Sequence, residues 1–366
     1  MARIVLDGVA HSYQPSPSRP EDYALKRLDH VWEDGGAYAL LGPSGCGKTT
    51  LLNIISGLIM PSQGRVLFDG VDVTDKPTAE RNIAQVFQFP VTYDTMTVAQ
   101  NLAFPLKNRG VARREVERRV REVADMLELS PMLDQRARRL TADSKQKISL
   151  ARGLVRPDVS AILFDEPLTV IDPHLKWVLR AQIKRLHREL ALTMVYVTHD
   201  QTEALSFADK VVVMYEGDVV QIGTPEELFE RPEHTFVGYF IGSPGMNVAP
   251  VEIEGNRARL GEQEISLGRA YPGLGRGARI ELGIRPEYVR IAGGANGIPA
   301  RVVKVDDVGR YRVVRVDVDG HTLNAIADED AEIGDDRARL ILDPANVHIY
   351  ADSRRVVGTP TGKGPG

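Results

Sequence analysis

The segment Gly42-Pro43-Ser44-Gly45-Cys46-Gly47-Lys48-Thr49 carries its glycines, lysine and hydroxyl at the spacing G-x-x-x-x-G-K-[ST]. It follows the apolar run Ala37–Leu41 and leads into the helical pattern Thr49-Thr50-Leu51-Leu52-Asn53-Ile54-Ile55. Glycines there let backbone N–H groups curl around phosphate oxygens, and a helix starting there presents its positive end to them. Lys48 would reach the outer phosphates, and Thr49 would offer its hydroxyl to Mg²⁺. A second element follows, in which the apolar run Ala161–Phe164 ends in Asp165-Glu166-Pro167. A buried strand ending in a carboxylate is how such a loop's Mg²⁺ is held, directly or through water, and Asp165 takes that role. Glu166, one residue on, can polarise an attacking water as general base; its removal should cost roughly 10²–10⁴-fold in rate.

The elements that must position these residues are readable from hydropathy. Residues 2 to 240 alternate β-rich runs with helical patterns, the mark of an α/β domain. The strands are predicted at Ala2–Leu6, Ala37–Leu41, Gly64–Phe68, Ile83–Phe87, Ala161–Phe164, Met194–Val197 and Val211–Tyr215. Three of them (YALL, AILF, MVYV) are nearly all apolar, as parallel strands covered on both faces should be. Between residues 97 and 154 the pattern turns helical and charged around VARREVERRVREVADMLEL. Glutamates alternate with the arginines there, which fits a solvated helix better than a nucleic-acid patch. Beyond about residue 243, short β-like runs broken by glycine predict a small barrel or sandwich over 243–351, and the Gly/Pro/Ser/Thr-rich residues 352–366 predict a flexible tail.

Composition narrows the classes. With 43% hydrophobic and 26% charged residues in 366, the chain should form two or three globular domains. Lys and Arg number 46 against 50 Asp and Glu, so no cationic excess marks it for nucleic acid or an anionic surface. The apolar runs fall short of the roughly 18–20 residues that span a bilayer. The opening MARIVLDG lacks an apolar stretch of signal length, and the single Cys46 cannot form an intramolecular disulfide. A soluble cytosolic protein is the expectation.

Together these residues resemble the ATP-binding-cassette ATPases over about residues 1–240, implying an α/β P-loop NTPase fold with a helical subdomain at about 89–154. The resemblance implies ATP binding by Gly42, Pro43, Ser44, Gly45, Cys46, Gly47, Lys48, Thr49 and Thr50, with Mg²⁺ at Thr49, Asp165 and Gln88. Gln88, in Val86-Phe87-Gln88-Phe89-Pro90, matches the glutamine loop that links Mg²⁺ to a transmembrane partner. His199, in Tyr196-Val197-Thr198-His199-Asp200, matches the switch histidine, so Glu166, His199 and Gln88 form the implied catalytic set. Asp172 matches an aspartate at the dimer interface. Tyr13 sits where the family stacks an aromatic on adenine, with Tyr23 as a rival because PSPSRPED shifts the register.

One motif departs from the family. Where its signature reads LSGGQ, this chain has Leu140-Thr141-Ala142-Asp143-Ser144. In the family that segment caps nucleotide bound by the opposite subunit, and Thr141 keeps the hydroxyl. A carboxylate at Asp143, about 4 Å from phosphate charge, would repel it by roughly 4 kcal/mol at an effective dielectric near 20. The expectation is a heterodimer with a second ATPase bearing an intact signature; a homodimer that tolerates the change is the competing reading. Gly242–Asn247 and Leu282–Glu287 resemble the junction and barrel of the sugar-importer ATPases, implying an OB-like, TOBE-type accessory domain. LTADSKQKISL, FQFPVTYDTMT and HTFVGYFIGSPGMN look most like one ATPase of a bacterial glycerol uptake system. The implied protein is a peripheral ATPase at the inner face of a bacterial membrane, working with two permease subunits and a substrate-binding protein, and without nucleic acid. The alternatives are a regulatory nucleotide-binding subunit with little turnover, and a homodimeric ATPase for maltose or glycerol phosphate.

Overall fold

The strand after which the glycine loop opens is entirely buried: Ala37–Leu41 has no exposed residue. A computed structural model describes residues 2–274, 277–292, 296–334 and 336–360. The chain divides into two compact units on either side of Pro225 and Glu226.

In the first unit β1 (Ile4–His11), β2 (Leu25–Trp32), β3 (Ala37–Leu41), α1 (Lys48–Ser56), β4 (Gln63–Phe68), β5 (Val71–Asp72) and β6 (Ala84–Val86) come first. Then follow α2 (Val98–Lys107), α3 (Arg113–Met126), α4 (Ala142–Leu154), β7 (Ile162–Asp165), α5 (Pro173–Leu190), β8 (Met194–Thr198), α6 (Gln201–Phe207), β9 (Lys210–Tyr215) and β10 (Asp218–Gly223). A six-stranded sheet runs β10-β9-β3-β8-β7-β6, parallel except for the edge pair β9–β10, and an antiparallel sheet runs β2-β1-β4-β5. Buried side chains of both sheets and of α1, among them Ile4, Leu40, Leu51, Ile55, Leu163 and Val195, form one core.

Register explains why distant motifs meet. Leu41 pairs with Thr198, and Asp165 pairs with Val197. The end of β3, the end of β7 and the turn after β8 therefore reach the same edge of the sheet, where α/β sheets place their ligands. Val86 pairs with Phe164, which puts Gln88, two residues past β6, at that edge as well. The charged run expected to be one solvated helix is α3, with Val116, Val120 and Val123 buried on one side.

The second unit opens with two short helices, α7 (Pro225–Glu230) and α8 (Thr235–Phe240), followed by an antiparallel β structure. Strands Ile298–Asp307, Arg312–Val318, His321–Ala327, Arg337–Leu342 and Val289–Ile291 make a five-stranded sheet, and Asn247–Pro250, Ile280–Ile284, His348–Ala351 and Arg354–Val356 a four-stranded one. Their inward residues, including Leu282, Ile284, Val314, Val316, Leu340 and Ile349, share a core. The contact boundary at Pro225 precedes the expected one at 240 because the helices are bound to the barrel: Arg285 donates to the carbonyls of Leu228, Phe229 and Ile241, and Tyr350 to that of Pro232. The tail expected over 352–366 is corrected as far as residue 360. Arg354–Val356 pairs with Ile349–Ala351, and Thr359–Pro360 with Arg269–Ala270, so this polar stretch is ordered by ladder hydrogen bonds rather than by burial. Residues 361–366 of that segment lie outside the described residues.

Candidate functional site

α1 begins at Lys48 on a left-handed Gly47 (φ 99°), and Leu51 N–H donates to Gly47 O at 2.9 Å. A side chain at Gly47 would run into Ala24 O, and one at Gly42 into Met214 O and Cys46 Sγ. Close packing of the loop against neighbouring backbone thus requires glycine at both ends. Lys48 is only 5% exposed. Its Nζ donates to Gly42 O and Pro43 O, both at 2.8 Å, and lies 3.7 Å from Cys46 Sγ. Among the described residues no carboxylate lies within ion-pair distance of it. A buried ammonium clasped by its own loop, with no carboxylate in direct contact among the described residues, fits an anion seated on that loop. Burial raises the Cys46 thiol above its ordinary range, so it packs here as a neutral group.

Next to the loop, Thr49 Oγ1 donates to Asp165 Oδ1 at 3.3 Å. Burial raises the Asp165 carboxyl, with the charge of Glu166 adding to it, while the Thr49 hydroxyl and Lys48 pull it down. A carboxylate held against its own solvation preference beside an exposed hydroxyl suits a cation. Among the described residues no group of three or more His, Cys, Asp or Glu could hold a metal. A Mg²⁺ here would therefore need phosphate and water oxygens to complete its shell.

Glu166 adopts a left-handed backbone (φ 46°), fastened by its N–H to Val197 O at 3.0 Å. Its Oε1 lies 3.2 Å from His199 Nδ1, and its Oε2 accepts from Thr169 Oγ1 at 3.2 Å. Lys48, Thr49, Asp165, Glu166 and His199 thus form one constellation. Tyr13 and Tyr23 have different partners: the exposed Tyr13 shares a 3.1 Å hydrogen bond with Thr50 Oγ1 at the start of α1, whereas Tyr23 accepts from Gln63 Nε2 at 3.0 Å. Gln88 is half-buried beyond β6, between the exposed Phe87 and Phe89.

Of the remaining expected residues, Asp172 and Thr141 work locally as helix caps. Asp172 Oδ1 accepts from His174 N at 2.9 Å at the start of α5. Thr141 caps α4, accepting from Ser144 N at 3.3 Å and donating to Ser144 Oγ at 3.1 Å. Ala142 and Asp143 fill the first turn, where an acid is favoured by the helix dipole. That gives Asp143 a structural reason that the sequence reading lacked.

One residue near His199 escaped the sequence reading. Glu203 is 4% exposed, and its Oε2 accepts from Tyr196 Oη (3.1 Å) and Thr198 Oγ1 (2.9 Å). Thr198 Oγ1 in turn accepts from Asp200 N at 3.0 Å, so the residues on both sides of His199 are fixed. The available signal was a Tyr and a Thr two apart on an otherwise apolar buried strand, followed by an acid one helical turn later.

An ABC transporter family model matches residues 25–169, a MalK OB fold domain model residues 242–289, and a TOBE domain model residues 282–349. The chain is 41% identical over 290 residues to the sn-glycerol-3-phosphate import ATP-binding protein UgpC of Bordetella avium, covering 78% of this chain and 79% of that one. It is 37% identical over 356 residues to UgpC 2 of Agrobacterium fabrum, covering 96% and 93%. Among solved structures, cbiO1 of Clostridium perfringens, part of the ABC transporter complex cbiONQ, aligns with a TM-score of 0.57 at 26% identity, over 62% of this chain and 90% of that one. A dimeric ATP-binding cassette in a post-hydrolysis state, bound to ADP and Pi, aligns at 0.53 and 27% identity over 61% and 98%.

Proposed function

The chain belongs to the ATP-binding proteins of ABC transporters, and we propose that it drives an importer of sn-glycerol-3-phosphate or a closely related polyol or sugar. As a member of that family it is a transport-coupled ATPase. Within that activity, the buried Lys48 ammonium, held on the glycine loop without a carboxylate in direct contact among the described residues, carries the assignment of the phosphate site.

ATP would seat its phosphates on the backbone of Gly42–Thr49, with Lys48 stabilising charge on the outer phosphates and Tyr13 covering the base. Mg²⁺, held by Thr49, Asp165 and Gln88, would supply charge neutralisation at the phosphate oxygens. A water against Glu166 gives a proton to the carboxylate as its oxygen bonds to the γ-phosphorus. The bond to the bridging oxygen breaks, and ADP leaves with that electron pair. His199 Nδ1 and Thr169 Oγ1 hold the two carboxylate oxygens and so aim the base.

The relatives' names favour the phosphorylated substrate over glycerol itself. Substrate contact would fall to two permease subunits and a binding protein, with this chain peripheral at the cytoplasmic face. Among the described residues no helix is long and apolar enough to cross a membrane. The C-terminal barrel would serve dimerisation or regulation. The test is ATP hydrolysis by the reconstituted complex with its binding protein loaded in turn with sn-glycerol-3-phosphate, glycerol and maltose. Stimulation by the phosphorylated polyol alone supports the assignment, and stimulation by maltose alone rejects it.

A second reading rests on Asp143: the partner ATPase is a different chain, whose signature completes the site built on Lys48, Glu166 and His199. Mass measurement of the purified complex decides it. Two copies of this chain in a fully active complex would refute the heterodimer.

A further inference from the structure

We infer that Gln146 is a positioning residue that ties the segments bearing Gln88 and Glu166 to the helix beginning beside Thr141; the inference rests on the ATPase reading of those two residues. Gln146 lies one turn into α4 and is fully buried. Its Nε2 donates to Phe87 O at 3.2 Å and to Pro167 O at 2.6 Å. Phe87 immediately precedes Gln88, and Pro167 immediately follows Glu166. One side-chain amide nitrogen therefore joins the glutamine loop, the segment after the general base and the signature helix.

The chemistry admits a single orientation. An amide NH₂ has two hydrogens, and both are used. Turning the amide over would set its oxygen against two carbonyl oxygens. In the observed orientation Oε1 is buried and has no hydrogen-bond partner among the described residues. An orphaned buried oxygen is unfavourable, and an apolar side chain of similar size would avoid it. The position thus keeps a destabilising atom for the sake of the two bonds its nitrogen makes.

Neighbouring contacts say what the tie transmits. Lys145 Nζ lies 2.9 Å from Asp94 Oδ1, Arg152 stacks 4.7 Å over the Tyr93 ring, and Arg152 also donates to Val91 O. These fasten α4 to residues 91–94, and Gln146 alone of the three also reaches Pro167. A displacement of α4 along with its capping segment Thr141–Ser144 would then carry the Phe87 and Pro167 carbonyls together. Gln88 and Glu166 would reach working geometry only with α4 seated.

The test compares wild type with Gln146→Met, which keeps size without donors, and Gln146→Asn, whose shorter amide can serve one carbonyl. In the full-length chain, hydrogen exchange should quicken in peptides covering 87–91 and 166–171 together, with the β3 and β8 peptides unchanged. In the assembled transporter kcat should fall roughly 10- to 100-fold for Met and less for Asn, with KM for ATP unchanged. Exchange that quickens at only one of the two loops, or a lowered melting temperature with wild-type kcat, would overturn the inference. A wild-type complex that fails to hydrolyse ATP would defeat the functional reading instead, and the exchange result would still decide the tie.

Discussion

Replacing Glu203 should loosen the frame around His199, and the structure gives the size of the effect. The carboxylate is buried, accepts from Tyr196 Oη and Thr198 Oγ1 at 3.1 and 2.9 Å, and lies 3.8 Å from Lys176 Nζ. Burial first, and the Glu203 charge second, hold the Tyr196 phenol well above its ordinary value, so it remains a donor at any working pH. Hydrogen bonds to a charged acceptor contribute about 1.5–3 kcal/mol each. Glu203→Ala removes both and strands two buried hydroxyls, a loss of about 3–5 kcal/mol. Glu203→Gln keeps an acceptor oxygen and should lose about 1–2 kcal/mol. In a unit of this size each kcal/mol moves Tm by about 2–4 °C, so the first transition should drop roughly 6–20 °C for Ala and 2–8 °C for Gln. Scanning calorimetry of the full-length chain measures both, and kcat of the complex should fall with Tm because Thr198 and Asp200 flank His199, which contacts Glu166. An alanine variant melting within about 1 °C of wild type, or a glutamine variant worse than alanine, would refute the reasoning.

Gly47→Ala forces an L side chain into a left-handed position against Ala24 O, a strain of at least 1–2 kcal/mol, so ATP affinity by calorimetry should fall about tenfold or more. Arg285→Met removes the donors held by Leu228, Phe229 and Ile241 carbonyls and the stack 3.8 Å over Phe229; the C-terminal unit should lose about 3 kcal/mol or more, read as an earlier second transition. His348, its Nε2 3.0 Å from Glu230 O, is lowered by burial from 6.5 to about 4. The unfolded chain binds the proton more readily, so stability present above pH 6.5 is lost as pH falls toward 4, by at most roughly 3 kcal/mol. His348→Gln should flatten that stretch of a stability-against-pH curve.

The loop proposed as the phosphate site was legible because its pattern is local: one strand, eight loop residues and a helix start carry it, and β3 falls where the apolar run predicts. Other strands were legible from apolar runs, whether buried throughout like β8 or half-exposed like β4. β2 was missed because Lys26, Arg27, Asp29 and His30 interrupt its alternation, and the pair with β1 supplies the order. Arg354–Pro360 reads as a polar tail and is ordered by strand partners distant in sequence. The different partners of Tyr13 and Tyr23, Thr50 and Gln63, lie far from them in sequence and leave no linear trace. Glu203 and Gln146 act through bonds to residues outside their own motifs, and a linear pattern carries no trace of such bonds.

Glu166→Gln in the assembled transporter separates the base from the phosphate-binding loop, with ATP binding and hydrolysis measured on the same preparation. Mg-ATP should bind as tightly as to wild type, with kcat lower by roughly 10²–10⁴-fold. Undiminished kcat, or a loss of rate matched by an equal loss of ATP binding, would contradict that separation.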